Sequence, residues 1–405
     1  MTAGERPRLL VFTTHPIQYQ APWFRAIEES GRFELLVAFS YIPTDSEQAV
    51  GFGGAFEWDI PLREGYRSIV LESLDLGRSA PDWLRRPTRG ASALLEHFRP
   101  DVALVLGWQE VSLLQAMRAC WRRRVPVILR GESVPRPRRR RLVRWGQRQL
   151  VRRAAGFLAI GARNRRFYTD LGVPGPKIVD ALYCVDNDRF ASAAGRLRAR
   201  RADIRRGFGI PADALCLLFA GKLEAKKRPV DVIEAVTAAR AAGASVHALI
   251  VGDGPLRAEC ESRIAALAAP ATMAGFRNQS ELPEAYVAAD ALVLPSDARE
   301  TWGLVVNEAM ACGLPAIVSD SVGCAPDLVQ DGETGALFPC GDGQALAAVI
   351  GRWADQREVV AAMGRRAEAQ VHARYSIEGA VLGLAGAVQN VLGRNATGVS
   401  EGQTA

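Results

Sequence analysis

Ten apolar runs of four to six residues recur along this chain, with segments of helical periodicity between them. They occupy 9–12, 35–39, 101–106, 125–129 and 156–160 in the first half, and 215–219, 248–251, 271–275, 291–294 and 316–319 in the second. Gly, Pro or polar residues bound each run, and stretches such as 231–242 repeat apolar residues at helical spacing. A strand covered on both faces reads as an unbroken apolar run, and strands alternating with helices form parallel sheets. The pattern predicts an α/β fold with sheets buried on both sides.

At 405 residues the chain is long enough for two domains of ordinary size. The turn-rich stretch Asp186-Asn187-Asp188-Arg189-Phe190, followed by a polar, Arg-heavy helix over 191–206, marks the expected junction. The expected division is 1–190 and 191–375, with a terminal helix over 376–393 able to pack back on the first domain and a disordered tail over 394–405. Two open parallel sheets in tandem place ligands at the carboxyl ends of their strands. If the two domains face each other across a cleft, the chain can join two substrates.

The most informative local stretch is Glu300-Thr301-Trp302-Gly303-Leu304-Val305-Val306-Asn307-Glu308, which continues to Gly313-Leu314-Pro315. Glu300 precedes a short turn, Glu308 lies in a segment that reads as helix, and Gly313 and Pro315 end it. Eight helical residues would cover roughly 12 Å, the scale of a nucleoside diphosphate-sugar from hexose to ribose. The N–H groups of a helix start lie between the two acids and suit a diphosphate.

Upstream, Gly221-Lys222-Leu223-Glu224-Ala225-Lys226-Lys227 follows a strand and leads into a helix. Lys222 and Lys227 on such a loop can neutralise phosphate charge, or simply form an exposed basic turn. Gly252-Asp253-Gly254 permits close backbone approach, or is merely a tight turn. Gly275-Phe276-Arg277-Asn278 can hold a base edge with Arg277 beside it, or leave Arg277 as a surface charge.

In this order these segments resemble the nucleotide-sugar domain of the family 4 retaining glycosyltransferases, whose fold is GT-B, two Rossmann-like, doubly wound domains. The match is dense over about 215–340, including Ala289-Asp290-Ala291 through Pro295-Ser296 and 332–335. Lys222 stands where the family usually has arginine, and Trp302 where it often has phenylalanine. The resemblance implies that Glu300 contacts the donor sugar, Glu308 the ribose, and Lys222 with Lys227 the diphosphate. Backbone groups at Trp302, Gly303 and Leu304 would complete the phosphate site, with Gly221, Gly252 and Arg277 also on the donor side. It further implies retention of anomeric configuration, with the departing diphosphate taking the acceptor proton, and no cofactor or metal requirement.

The first half resembles the family more loosely. Thr13-Thr14-His15-Pro16-Ile17-Gln18-Tyr19-Gln20 looks like a variant opening without the usual glycine-rich loop. His15 follows a strand and can touch donor or acceptor, or cap a turn; it is counted with Glu300, Lys227 and Lys222 as a catalytic candidate. Gln18 and Tyr19 are acceptor-side candidates. Many members carry a cleft histidine after a later strand; here Leu129-Arg130-Gly131-Glu132 occupies that place, making Arg130 and Glu132 acceptor candidates or a structural pair.

Two further motifs carry charge. Asp186-Asn187-Asp188 has the look of an acidic metal motif, but it sits at the expected junction. The arginines at 136, 138–141, 144, 148, 152 and 153 interleave with Leu142, Val143, Trp145, Leu150 and Val151. That spacing fits an interfacial helix on anionic lipid, a solvated helix face or, least of all, a nucleic-acid surface. Seven scattered cysteines without Cys-x-x-Cys pairs, and no signal-like or membrane-length apolar segment, lead to the expectation of a cytoplasmic protein, soluble or at the inner membrane surface.

The expected function is transfer of a hexosyl unit from a nucleotide-diphosphate sugar to a glycan, lipid-linked or small-molecule acceptor. The competing readings are a sugar-nucleotide epimerase or hydrolase on the same fold, and a basic nucleic-acid-binding protein.

Overall fold

The computed structural model describes residues 6–48, 54, 56–77, 80–135 and 141–400, with Ser46 and residues 394–400 as backbone alone. In chain order the strands are β1 (Arg8–Thr13), β2 (Glu34–Phe39), β3 (Ser68–Val70), β4 (Glu72–Ser73), β5 (Thr88–Arg89), β6 (Val102–Leu106), β7 (Val127–Arg130), β8 (Gly156–Ala159) and β9 (Ile178–Asp180). They continue with β10 (Leu215–Ala220), β11 (Val246–Val251), β12 (Ala271–Gly275), β13 (Ala291–Leu294), β14 (Ala316–Ser319) and β15 (Gly335–Phe338). All ten runs read from the sequence are strands.

The chain forms two compact units, one of Met1–Pro43, Pro61–Tyr183 and Ile377–Ala405, the other of Thr44–Ile60 and Cys184–Ser376. A division after 190 would cut the helix Asn187–Leu197, so the join falls earlier, between Tyr183 and Cys184. The segment Thr44–Ile60 belongs to the second unit because its polar and aromatic groups are bonded there. Asn278 Nδ2 donates to the Glu57 carbonyl at 2.7 Å, Ser280 N–H reaches the Asp59 carboxylate at 3.1 Å, and the Phe56 and Phe276 rings lie 4.4 Å apart.

The first unit is built on a seven-stranded sheet in the order β3-β2-β1-β6-β7-β8-β9, and its paired strands are parallel. Leu10, Phe12, Ala103, Val105, Val127, Leu129 and Phe157 fill one face. The terminal helix Ile377–Ser400 packs on β8 and β9. A Cβ on Gly383 would lie 2.1 Å from the Asp180 carbonyl oxygen, so only glycine permits this approach of helix to strand. The helix runs past residue 393, where the sequence reading ends it; the segment 394–400 is helical and not a disordered tail. Residues 401–405 of that expected tail lie outside the described residues.

The second unit is built on a six-stranded parallel sheet in the order β12-β11-β10-β13-β14-β15. Leu217, Phe219, Ala248, Ile250, Val293 and Ile317 are fully buried in its core. In each sheet the strand order reverses once, between β1 and β6 in the first unit and between β10 and β13 in the second. Loops diverge at such a point and leave a crevice at the carboxyl ends of the strands.

Candidate active site

The second unit's switch point is framed by the loops after β10 and β13. Lys227 ends the first loop and Glu300 lies on the second, and Lys227 Nζ forms an ion pair with Glu300 Oε2. The two side chains are only 15% and 12% exposed, so the pair sits largely out of water, where an ion pair is less screened than at the surface. The Lys226 carbonyl accepts from the Asp297 amide at 2.9 Å, and the Asp297 carbonyl from the Glu300 amide at 2.9 Å, which ties the two loops together.

Lys222 is half-buried near the start of the same loop. Burial pushes its ammonium below the ordinary lysine value of 10.5, with Glu224 opposing and Lys226 and Lys227 adding to the fall. The loop is pinned from beneath by the Gly252-Asp253-Gly254 turn. Leu223 N–H donates to the Asp253 carbonyl at 2.8 Å and Leu256 N–H to the Leu223 carbonyl at 2.9 Å. Gly252 has φ +134°, and a Cβ there would sit 1.9 Å from the Gly221 oxygen. The close approach that Gly252 permits is thus to the backbone of Gly221; the space a ligand would need at that Cβ is already filled by protein.

The stretch from Glu300 to Glu308 is only half helical. The helix spans Val305–Ala311, so residues 301–304 are turn and the 12 Å helical measure does not apply. Gly303 turns the chain at φ +100°, Leu304 holds the N-cap position, and no side chain caps the helix. Its first turn therefore offers backbone N–H groups that a helix cannot satisfy internally. The Trp302 side chain is buried, donating Nε1–H to Asn307 Oδ1 at 2.8 Å, so at this position only the backbone is available to a ligand.

Glu308 is 2% exposed and its Oε2 accepts the Tyr286 hydroxyl at 2.5 Å. Tyr286 is itself fully buried on the helix Leu282–Ala288. The sequence reading missed this tyrosine; its signal was a hydroxyl among apolar neighbours, which requires a buried partner. Arg277 is turned onto its own unit, with Nη1 3.5 Å from Glu281 and the guanidinium 5.5 Å from the Phe208 ring centre. Asp186-Asn187-Asp188 proves structural. Asp186 caps the helix Asn187–Leu197, Asn187 Nδ2 donates to the Val371 and Tyr375 carbonyls, and Asp188 lies 3.6 Å from His372.

In the first unit, a cavity of about 200 Å³ opens at the β1–β6 switch point, lined by Thr13, Gln20, Trp108, Glu110, Arg130 and Glu132 among others. Arg130 is buried at the end of β7, its guanidinium 4.3 Å from the Trp23 ring and 5.1 Å from Tyr183. Glu132 accepts the Tyr183 hydroxyl at 2.6 Å; burial first, then Glu132, holds that phenol well above its usual value. Burial also raises the Glu110 carboxyl, against the pull of Arg86. Gln20 lines this cavity and accepts from Thr13 Oγ1 at 3.1 Å, whereas Gln18 and Tyr19 are not part of its wall. His15 pairs with the Thr14 hydroxyl at 3.0 Å and lies 5.3 Å from the Tyr41 ring, also outside the wall. Trp108, Glu110 and Gln20 are additions that the sequence did not single out.

Residues 17–179 match the family described as glycosyl transferase 4-like domain, and residues 200–370 match glycosyl transferases group 1. A D-inositol 3-phosphate glycosyltransferase of Streptomyces scabiei is 33% identical over 253 residues, covering 60% of this chain and 54% of that protein. The alpha-D-kanosaminyltransferase of Streptomyces kanamyceticus is 29% identical over 253 residues, covering 62% and 64%. The chain thus spans about half to two thirds of the length of these relatives. The structure of Anabaena Alr3699/HepE in complex with UDP-glucose superposes with a TM-score of 0.67 over 97% of this chain and 100% of that one, at 18% identity. The chain belongs to the glycosyltransferases, carrying a 4-like domain in its first half and a group 1 domain in its second, on the GT-B fold.

Proposed function

We propose that the chain is a retaining glycosyltransferase that moves a hexosyl unit from a nucleotide-diphosphate sugar to a glycan, lipid-linked or small-molecule acceptor. The observation that carries this reading is the largely buried Lys227–Glu300 pair at the second sheet's switch point, with Lys222 on the same loop. Lys222 and Lys227 neutralise the diphosphate in place of a divalent ion, and the backbone at Gly303 and Leu304 adds N–H donors. Glu300, paired with Lys227, accepts from the sugar hydroxyls. Glu308 takes the ribose and Tyr286 holds it in position. The bond from the anomeric carbon to the phosphate oxygen breaks as the acceptor oxygen bonds on the same face. The acceptor proton passes to the leaving phosphate oxygen, so positioning and charge carry the catalysis.

Arg130, Glu132 and Glu110 are the groups we assign to a polyol acceptor, Arg130 being suited to one that bears phosphate. The name of the D-inositol 3-phosphate relative supports that class. Thermal stabilisation by UDP-, GDP- and ADP-sugars, followed by a transfer assay, tests the reading. Glu308→Ala should weaken donor binding, and Lys227→Ala should lower turnover by about 10²–10³-fold, the cost of losing one transition-state donor. Transfer unchanged by both substitutions refutes the assignment.

We also infer a peripheral place at an anionic membrane surface. Leu142, Val143 and Trp145 on the helix Arg141–Arg152 are 82%, 49% and 63% exposed beside Arg141, Arg144, Arg148 and Arg152. Arginines 136–140 of this basic run lie outside the described residues. Twelve arginines and no Asp or Glu occur from 134 to 169, which favours an anionic partner over a merely solvated face. No described helix is long and apolar enough to cross a membrane. Co-sedimentation with phosphatidylglycerol vesicles, lost with Leu142→Asp/Trp145→Asp, supports surface binding; equal sedimentation with phosphatidylcholine, or no binding at low salt, overturns it.

A further inference from the structure

The second unit holds a further cavity, of about 330 Å³, away from Lys227 and Glu300. Its wall includes Leu215, the first residue of β10, and Leu314, two residues before β14, so it lies at the amino ends of these strands. The loops that carry Lys222, Lys227 and Glu300 leave their strands at the opposite ends.

Four guanidinium side chains line the cavity, Arg198, Arg201, Arg357 and Arg365, against two carboxylates, Asp290 and Glu368. Asp290 is already heavily engaged. Arg201 donates to its Oδ1 at 2.7 Å, Arg205 and the Cys216 amide reach its Oδ2 at 3.2 and 2.8 Å, and Arg357 stands at 3.6 Å. Arg205, 5% exposed, adds a buried charge behind the wall. Arg198 makes one long bond, 3.4 Å, to the Cys312 carbonyl, and neither Arg198 nor Arg365 forms an ion pair among the described residues. The surplus positive charge is gathered in a concavity, where it acts more strongly than on an open face. Guanidinium forks match phosphate oxygens in geometry and charge. The volume falls at the low end of the roughly 300–1,000 Å³ of small-molecule sites.

We propose that this cavity is a second anion site, taking a small di- or polyphosphate, distinct from the donor site. Such a ligand would rest against the supports of Glu308. Tyr286 is part of the wall, and Cys312 and Gly313, also in the wall, end the helix that carries Glu308. The proposal does not depend on the transferase reading, because its readout is binding alone.

The test is calorimetric titration of inorganic pyrophosphate into the full chain carrying Lys222→Ala and Lys227→Ala, which removes the donor-loop cations. Saturable binding should remain, and adding Arg198→Ala and Arg365→Ala should weaken it at least about tenfold, the loss expected of two charge-assisted contacts. Both arginines are exposed, so the variant should keep the parent's melting temperature. Absence of saturable binding in the first variant, or undiminished binding in a folded second variant, overturns the proposal.

Discussion

Tyr286→Phe tests the proposed donor role of Glu308 through the hydroxyl bonded to it. Phenylalanine keeps the ring of a fully buried side chain and removes only the hydroxyl 2.5 Å from Glu308 Oε2. A hydrogen bond to a charged group contributes about 1.5–3 kcal/mol, which corresponds to roughly 10- to 150-fold in an equilibrium constant. Part of that loss falls on the free protein, where a buried carboxylate oxygen is left without its donor, and part on the complex, where the carboxylate is less well oriented. The assay is calorimetric titration of whichever of UDP, GDP or ADP stabilises the wild-type chain most, with a thermal melt of each variant. We expect an increase in Kd of about tenfold or more, and a fall in melting temperature of about 2–4 °C per kcal/mol lost. In a Glu308→Ala background the tyrosine substitution should cost little more, because the two groups act as one unit. Unchanged nucleotide affinity in a folded Tyr286→Phe protein, or two losses that simply add, would refute the coupling.

Lys222 predicts an alkaline limb. Its pKa is lowered by burial, so between the folded value and the ordinary 10.5 the unfolded chain holds more protons; stability from this group rises with pH across that window while diphosphate affinity falls as the charge is lost. Lys222→Arg should flatten the fall in affinity, and an identical pH profile would refute the role. Gly252→Ala should cost at least about 2 kcal/mol, since a Cβ would meet the Gly221 oxygen at 1.9 Å and φ is +134°; a melting temperature within about a degree of wild type would contradict this packing. His15→Ala should lower transfer about tenfold or more, about 1.4 kcal/mol, if the ring acts as the catalytic candidate it is expected to be; transfer unchanged in a folded variant would leave the ring with its local contacts to Thr14 and Tyr41 alone.

The core strands were legible because burial on both faces makes them continuous apolar runs, as in Leu215–Ala220. Strands β3, β4, β5, β9 and β15 were missed; β3, β9 and β15 lie at sheet edges, and all but β15 are two or three residues long, too short for periodicity to register. The excursion of Thr44–Ile60 into the second unit was illegible because it rests on single long-range bonds such as Asn278 to Glu57. Lys227 and Glu300 were legible one by one, as a basic loop after a strand and an acid before a helix, but their ion pair was not. Tyr286 and Glu308, 22 residues apart, meet only through the packing of two helices, which spacing does not encode. The cavity in the first unit was least legible: Gln20 comes from the loop after β1 and Trp108 and Glu110 from the loop after β6, and no local pattern joins the two loops.

The helix Ile377–Ser400 has a consequence for how the protein is made. It follows the whole of Cys184–Ser376 in sequence, yet Gly383 is pressed against Asp180 and Val391 lies beside Gly156 in the first unit. During vectorial synthesis the sheet of that unit emerges first, but this face of β8 and β9 stays uncovered until all of Cys184–Ser376 has been translated. The second unit can close on the ribosome before the first is finished. Truncation anywhere before 377 should therefore expose apolar surface on the half of the protein farthest away in sequence, and a nascent chain stalled there should be a chaperone client.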